Sequence, residues 1–307
     1  MLGRIVEVAD DNRHLFVQRG FLIVKETEGD RKELGRVPLD DICAVIGNAH
    51  GLSYTNNVLI KLAERGVPLV ICGNNHHTVG VLWPLDGNFE LSKRIDAQCQ
   101  ASLPLKKRLW AQIIKNKIAH QASVLDFLGR PDAPLKALIP KVKSGDSENV
   151  EAQAARRYWS LLFGKDFRRN RSEPGVNALL NYGYTVLRAT VARAVVAAGL
   201  HPSIGLHHSN ALNPMRLVDD LIEPFRPYVD CLVFHLVQEG CFEITPEVKR
   251  RLVLLMYEDL VTDAGVTPIV VCTQKLALSL AQVLVGSKET LDFPIVGSAP
   301  MVLGSLC

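Results

Sequence analysis

Near residue 100 the apolar residues change period, and this limits the chain to a fold of two unlike parts. Before that point, short runs rich in β-formers are separated by turn residues. They cover residues 3–8, 14–18, 21–25, 36–38, 42–46, 68–72 and 78–82, and each is strand-length. Thr27-Glu-Gly-Asp-Arg31 supplies a hairpin turn. A single helical repeat lies over 55–65 and stops at Gly66, where glycine ends helices readily. From about 101 onward the spacing is helical. Residues 105–120 form an amphipathic helix with Leu109, Ile113 and Ile114 on one side and Lys106, Lys107, Lys115 and Lys117 elsewhere. Further helices are predicted over 151–163, 175–199, 214–223, 245–264 and 273–285. The predicted organisation is a β-rich part over 1–85, a polar linker over 86–100, a helical domain over 101–285 and a loosely ordered tail over 286–307.

At 48% hydrophobic and 307 residues the chain can bury two cores. The seven cysteines, at 43, 72, 99, 231, 241, 272 and 307, are odd in number and include no C-x-x-C pair. They therefore indicate neither a disulfide framework nor a zinc ribbon, and most read as buried thiols of a reducing compartment. No H-E-x-x-H is present, which argues against a zinc hydrolase. No stretch approaches the ~20 apolar residues of a membrane span, and no secretory leader is evident. A cytoplasmic location without a membrane partner is expected.

The net charge of +3 is mild, but residues 151–200 hold eight Lys/Arg against three acids, a local net of +5. Lys165-Asp-Phe-Arg-Arg-Asn-Arg171 is the densest part. This is either a solvated helix face or a patch that holds a polyanion. Carboxylates and imidazoles lie close by in sequence. Glu151 opens a predicted helix. His207 and His208 precede a short helix that carries Asp220 and Glu223, three apart and so on one face. Singly, each has a plainer structural reading: helix-dipole stabilisation for Glu151, a core or capping role for a histidine, a solvated face for the acidic pair. Jointly with the basic patch they match a site for a hard divalent cation such as Mg2+ or Mn2+ acting on phosphodiesters. Asn177-Ala-Leu-Leu-Asn-Tyr-Gly-Tyr184 buries an apolar helix face while Asn181, Tyr182 and Tyr184 are candidates either for phosphate contact or for tying helices together. His76-His77 reads as an exposed turn between strands, with metal binding the less common alternative.

Three segments together resemble the Cas-one (Cas1) family, the integrase subunit of CRISPR adaptation. They are Ser144-Gly-Asp-Ser-Glu-Asn-Val-Glu-Ala-Gln-Ala-Ala-Arg-Arg-Tyr-Trp-Ser-Leu-Leu-Phe163, Asn177 through Tyr184, and Gly205-Leu-His-His through Asp220-Leu-Ile-Glu-Pro-Phe-Arg-Pro227. With the β-rich N-terminal part, the likeness spans essentially the whole chain, and its form is that of type II systems. The resemblance implies an α+β chain with a small N-terminal β-sandwich domain for dimerisation and a larger all-α catalytic domain. It implies a homodimer, two of which are bridged by a dimer of the small Cas-two (Cas2) protein. Double-stranded DNA, as prespacer and repeat, is the implied substrate, and the Cas-nine (Cas9) effector is a further candidate partner. It also implies metal-dependent insertion of short foreign DNA by attack of a 3′-hydroxyl on a repeat phosphodiester.

Carried over by position, the family's ligands fall on Glu151, His208 and Glu223, with Asp220 as a fourth ligand or a supporting group. The DNA-contacting set is Arg156, Arg157, Lys165, Arg168, Arg169 and Tyr182. His207 either orients the site or touches DNA. On this reading Glu223→Ala removes a ligand at the surface of the site and abolishes strand transfer with the fold intact. Two other readings use the same residues: a stand-alone metal-dependent structure-specific nuclease with water as nucleophile, and a non-catalytic DNA-binding scaffold.

Overall fold

The computed structural model describes residues 4–27, 32–73, 78–82, 84, 91–263 and 265–297. It divides into two compact units, Met1–Phe89 and Glu90–Cys307. The turn at 28–31 and the His76-His77 pair lie outside the described residues.

The first unit contains β1 (Arg4–Val8), β2 (Arg13–Gln18), β3 (Phe21–Glu26), β4 (Glu33–Pro38), β5 (Ile42–Gly47), β6 (Ser53–Tyr54), α1 (Asn56–Ala63), β7 (Leu69–Cys72) and β8 (Thr78–Leu82). They form two four-stranded sheets. One has the order β1-β5-β7-β8, the other β4-β3-β2-β6. In the first, β1, β5 and β7 are parallel and β8 is antiparallel to β7. In the second, β4, β3 and β2 form an antiparallel meander and β6 runs parallel to β2. Val8 and Val45 from one sheet, Leu15 and Leu22 from the other, and Val58 and Leu62 of α1 share one core. Alternation fixes this inward set, because a slip of one residue would turn it to solvent.

The second unit is mostly helical: α2 (Leu91–Gln100), α3 (Leu103–Phe127), α4 (Ala133–Lys136), α5 (Val150–Phe163), α6 (Val176–Ala197), α7 (Arg216–Leu221), α8 (Arg226–Gln238), α9 (Pro246–Leu254) and α10 (Ile269–Leu284). It is not all-α. Strands β9 (Asp259–Thr262) and β10 (Gly265–Pro268) form a hairpin where the helix over 245–264 was predicted. Thr245 caps α9 by accepting from Val248 N–H at 3.3 Å, and the helix ends nine residues later. The whole chain is thus α+β, with β structure in both units.

Three further differences from the sequence expectations are seen. The linker over 86–100 contains α2, which is tied into the second unit: buried Gln98 donates to the carbonyls of His201 and Ile204 and accepts from His201 N–H. The tail over 286–307 packs at least as far as 297. There Leu291 N–H donates to Gln112, Asp292 N–H to Ser279 and Ile295 N–H to Val261 O. The third is α8, which the sequence reading did not predict at all.

Two helices organise the second unit. Ser102 caps α3, a 25-residue helix that buries a broad face from Leu109 to Leu125. Helix α6 is buried on most of its circumference and packs against α7, α8, α9 and α10. Gly183 allows the close approach of α8, since a Cβ there would lie 2.4 Å from Val229 Cγ1.

Candidate metal centre

Glu151 is set by the turn that precedes α5. Asp146 accepts from Val150 N–H at 2.9 Å and from Glu151 N–H at 3.0 Å. These are amide donors that a helix start leaves unpaired. Asp146 and Asn149 both take left-handed φ to make the turn. Glu223 follows α7 and opens a single 3-10 turn, Glu223–Phe225, that leads into α8. Helix α7 is pinned to α6 by Arg188, which donates to both oxygens of Asp219 at 2.7 and 3.0 Å.

The two acids meet on one cation. Lys117 of α3 places its ammonium 2.5 Å from Glu151 Oε1 and 2.6 Å from Glu223 Oε2. Arg226 lies 3.1 Å from Glu223 Oε1. Glu223 is only 3% exposed, which corrects the expectation of a ligand at the surface of the site. Burial pushes the Glu223 carboxyl up, but Arg226 and Lys117 outweigh it and hold the group below the usual glutamate value. Burial likewise pulls the Lys117 ammonium down, and Glu223 and Glu151 more than restore it.

Asp220 has a different task from Glu223. It is fully buried. It accepts from the backbone N–H groups of Leu206, His207 and His208 at 2.6, 3.2 and 3.2 Å, and its Oδ1 lies 2.7 Å from His208 Nδ1. Its oxygens are committed to this loop, and the imidazole keeps Nε2 for other chemistry. The Asp220 hydrogen bond raises the His208 pKa despite partial burial. Gly205 makes the wrap possible, since a Cβ there would sit 2.8 Å from His208 O and 3.0 Å from Asp220 Oδ2. Beside it, the exposed His207 ring stacks flat on buried Trp110, with centroids 4.2 Å apart and planes at 1°.

A second polar layer lies behind Arg226. Its guanidinium sits 4.8 Å over the Tyr184 ring, and the Tyr184 hydroxyl donates to buried Asp230. Burial pushes Asp230 up to about 7.

One of the DNA-contacting candidates is corrected. Tyr182 is 1% exposed in the core of α6, because the buried surface of that helix extends nearly all round it. Arg169 is half-buried and donates to Asn177 at 2.9 Å and Asn181 at 2.7 Å, tying the 164–175 connection to α6. Arg156, Arg157, Lys165 and Arg168 are exposed. Of these, Arg157 donates to Pro134 O and Arg168 to the carbonyls of Lys165 and Phe167.

Lys117 and Arg226 were missed as site residues. For Lys117 a signal was present: Leu109, Ile113, Lys117, Gln121 and Leu125 repeat every four residues, so Lys117 belongs to the buried stripe of α3.

Residues 6–246 match the family model described as CRISPR associated protein Cas1. The chain belongs to that family. It is 40% identical over 247 residues to the CRISPR-associated endonuclease Cas1 of Neisseria meningitidis serogroup C (strain 8013), covering 79% of this chain and 80% of that protein. By fold it is similar to a casposase bound to integration product, with TM-score 0.79 and 22% identity over 94% of this chain and 93% of that one. It is also similar to a chain of a Cas6-RT-Cas1–Cas2 complex, with TM-score 0.77 and 20% identity over 96% of this chain and 36% of that one.

Among the described residues no three His, Cys, Asp or Glu side chains are already gathered in metal-binding positions; Lys117 stands between the two acids. The donor set nonetheless fits a hard divalent ion. Two carboxylates from separate segments converge on a cationic centre, and His208 lies near enough to lower the Glu223 pKa. Buried Glu223 Oε2 meets the ammonium at short range but outside hydrogen-bonding geometry, so that oxygen lacks a directional partner.

Proposed function

We propose that this chain is a metal-dependent DNA integrase and endonuclease of CRISPR adaptation, inserting short foreign DNA into the repeat array. The observation that carries the reading is the convergence of Glu151 and Glu223 beside His208, within a chain of the Cas1 family. Glu151, Glu223 and His208 Nε2 would hold Mg2+ or Mn2+. Bound there, the ion would neutralise charge developing at the attacked phosphate and would favour ionisation of the attacking 3′-hydroxyl.

The chain's own residues do the rest. Asp220 fixes the ring plane and tautomer of His208, which makes it a supporting group and not a fourth ligand. Arg226 balances Glu223 from the side opposite Lys117. Arg156, Arg157, Lys165 and Arg168 hold the DNA backbone without reading bases, so binding falls steeply with salt. Choice of insertion site then comes from repeat shape and from partner proteins.

The N-terminal unit, read as a β-sandwich, serves the homodimer, and a Cas2 dimer bridges two such dimers. Type II kinship makes a Cas9 effector a further partner. The work belongs in the cytoplasm, where the array lies; among the described residues no helix is long and apolar enough to cross a membrane.

The test is strand transfer. Purified protein, with and without Cas2, is mixed with a labelled short duplex, a supercoiled repeat-containing plasmid and Mg2+ or Mn2+. Label joined to plasmid, lost with EDTA and in His208→Ala, supports the integrase. Metal-dependent cutting without joining supports the nuclease, and salt-sensitive binding without chemistry supports the scaffold.

A further inference from the structure

A lysine inside a packed helical unit loses hydration that only opposite charge can replace. Lys117 is 8% exposed, and both of its ion-pair partners are the carboxylates assigned above to the metal. Its ammonium occupies the point where Glu151 Oε1 and Glu223 Oε2 converge. A divalent ion bound by the same oxygens, at about 2.0–2.1 Å for Mg2+, needs that same point. Two cations cannot occupy one point, and their mutual repulsion in a poorly screened site favours separation. Arg226 does not stand in the way: it holds the other oxygen of Glu223 and is packed over Tyr184. Lys117 is therefore the cation that must yield, and its unbranched four-carbon stem lets the ammonium swing aside.

We propose that Lys117 is a built-in competitor for the metal site: its ammonium bridges Glu151 and Glu223 until a divalent ion displaces it. The inference rests on the reading that these two carboxylates bind the ion. It assigns Lys117 a positioning role, keeping the acids together and the buried charge balanced before loading, at the cost of weaker metal binding. The apparent affinity is reduced by the fraction of molecules in which the ammonium has moved away.

The test is Mn2+ binding to the full-length chain, followed by the loss of the free-ion EPR signal, in wild type, Lys117→Met and Glu223→Ala. Lys117→Met is expected to bind about tenfold more tightly than wild type. It should also melt lower without metal and gain more from saturating Mn2+. Unchanged or weaker binding by Lys117→Met, with wild-type binding that Glu223→Ala loses, overturns the role of Lys117 and leaves the metal site standing. No binding by wild type, or binding retained in Glu223→Ala, overturns the site itself and the inference with it.

Should Lys117→Met fail to fold, wild type alone answers. Reductive methylation read by mass spectrometry should modify Lys117 faster with Mn2+ than without, against exposed Lys115 as the internal reference. Equal or slower modification with Mn2+ overturns the proposal.

Discussion

Glu223→Ala should damage stability as well as activity. The carboxylate is 3% exposed and lies 2.6 Å from the Lys117 ammonium and 3.1 Å from the Arg226 guanidinium. Its removal leaves two poorly hydrated cations facing a cavity, with Glu151 still paired with Lys117. Breaking a buried ion pair from one side costs about 3–5 kcal/mol. Arg226 keeps a quarter of its side chain in contact with solvent, so the low end, about 3 kcal/mol, is the appropriate figure. For a unit of this size each kcal/mol moves the midpoint by roughly 2–4 °C, giving a loss of about 6–12 °C without metal. Thermal unfolding followed by circular dichroism measures it. Lys117→Met combined with Glu223→Ala should recover much of the loss, because the stranded charge goes with the lysine. A Glu223→Ala protein that melts within about 1 °C of wild type, or a double variant that melts below the single one, would refute the reasoning.

Asp220→Asn should lower strand transfer by about 10–100-fold through misorientation of His208, with weaker Mn2+ binding. It should also cost stability, because one amide oxygen must serve three backbone N–H groups; unchanged Mn2+ affinity would contradict the supporting role. Gly183→Ala, which gains about 1 kcal/mol of helix propensity, should still destabilise, because its Cβ would meet Val229 Cγ1 at 2.4 Å and overpacking costs about 1–3 kcal/mol. A raised urea midpoint would show that α6 and α8 have room to part. Asp230 has a folded pKa of about 7 against its ordinary 3.8. Its contribution to stability is therefore full below pH 3.8 and is lost as pH rises through 7, on the order of 4 kcal/mol in all. His120, pulled down by burial to about 4, works in the opposite sense over the same window, so the difference between wild type and Asp230→Asn isolates the carboxylate. Wild type should lose ground on the variant between pH 5 and pH 8 in denaturant titrations, and a difference independent of pH would exclude the shift.

Most strands and, in whole or in part, seven of the helices were legible, since period 2 and period 3.6 are written by burial itself. What failed was punctuation. The helix predicted over 214–223 stops before Pro224, yet helical backbone resumes at once and Pro227 stands in the first turn of α8, where its missing N–H costs nothing. Residues 91–100 looked like a linker because they are polar, and α2 is indeed mostly exposed. It is held by Arg94 and Gln98, which donate to carbonyls of Ala198, His201 and Ile204, and hydrogen bonds of that kind leave no hydrophobic period. The β9–β10 hairpin was hidden because Asp259-Leu-Val-Thr262 follows α9 with no proline or glycine between them. Its one local signal was Gly265 just past the turn.

The site was legible as a set of residue types and less so as a division of labour. A spacing of three puts Asp220 and Glu223 on one face only while the helix continues, and α7 ends at Leu221. Beyond it the backbone tightens into the 3-10 turn. As a result Asp220 serves the 205–208 loop and Glu223 meets Lys117 and Arg226. The buried stripe of α3 carries part of that division in the sequence, and the hydrogen bonds of Asp220 supply the rest. A lysine among Leu109, Ile113, Gln121 and Leu125 demands carboxylates able to reach the interior. Of the acids singled out by the motifs, Asp220 is already claimed by three backbone amides and an imidazole, so Glu151 and Glu223 are the pair left to face it. The charge that most constrains this centre is therefore carried by a residue outside all three motifs, which is why the motifs identify the acids without showing what holds them together.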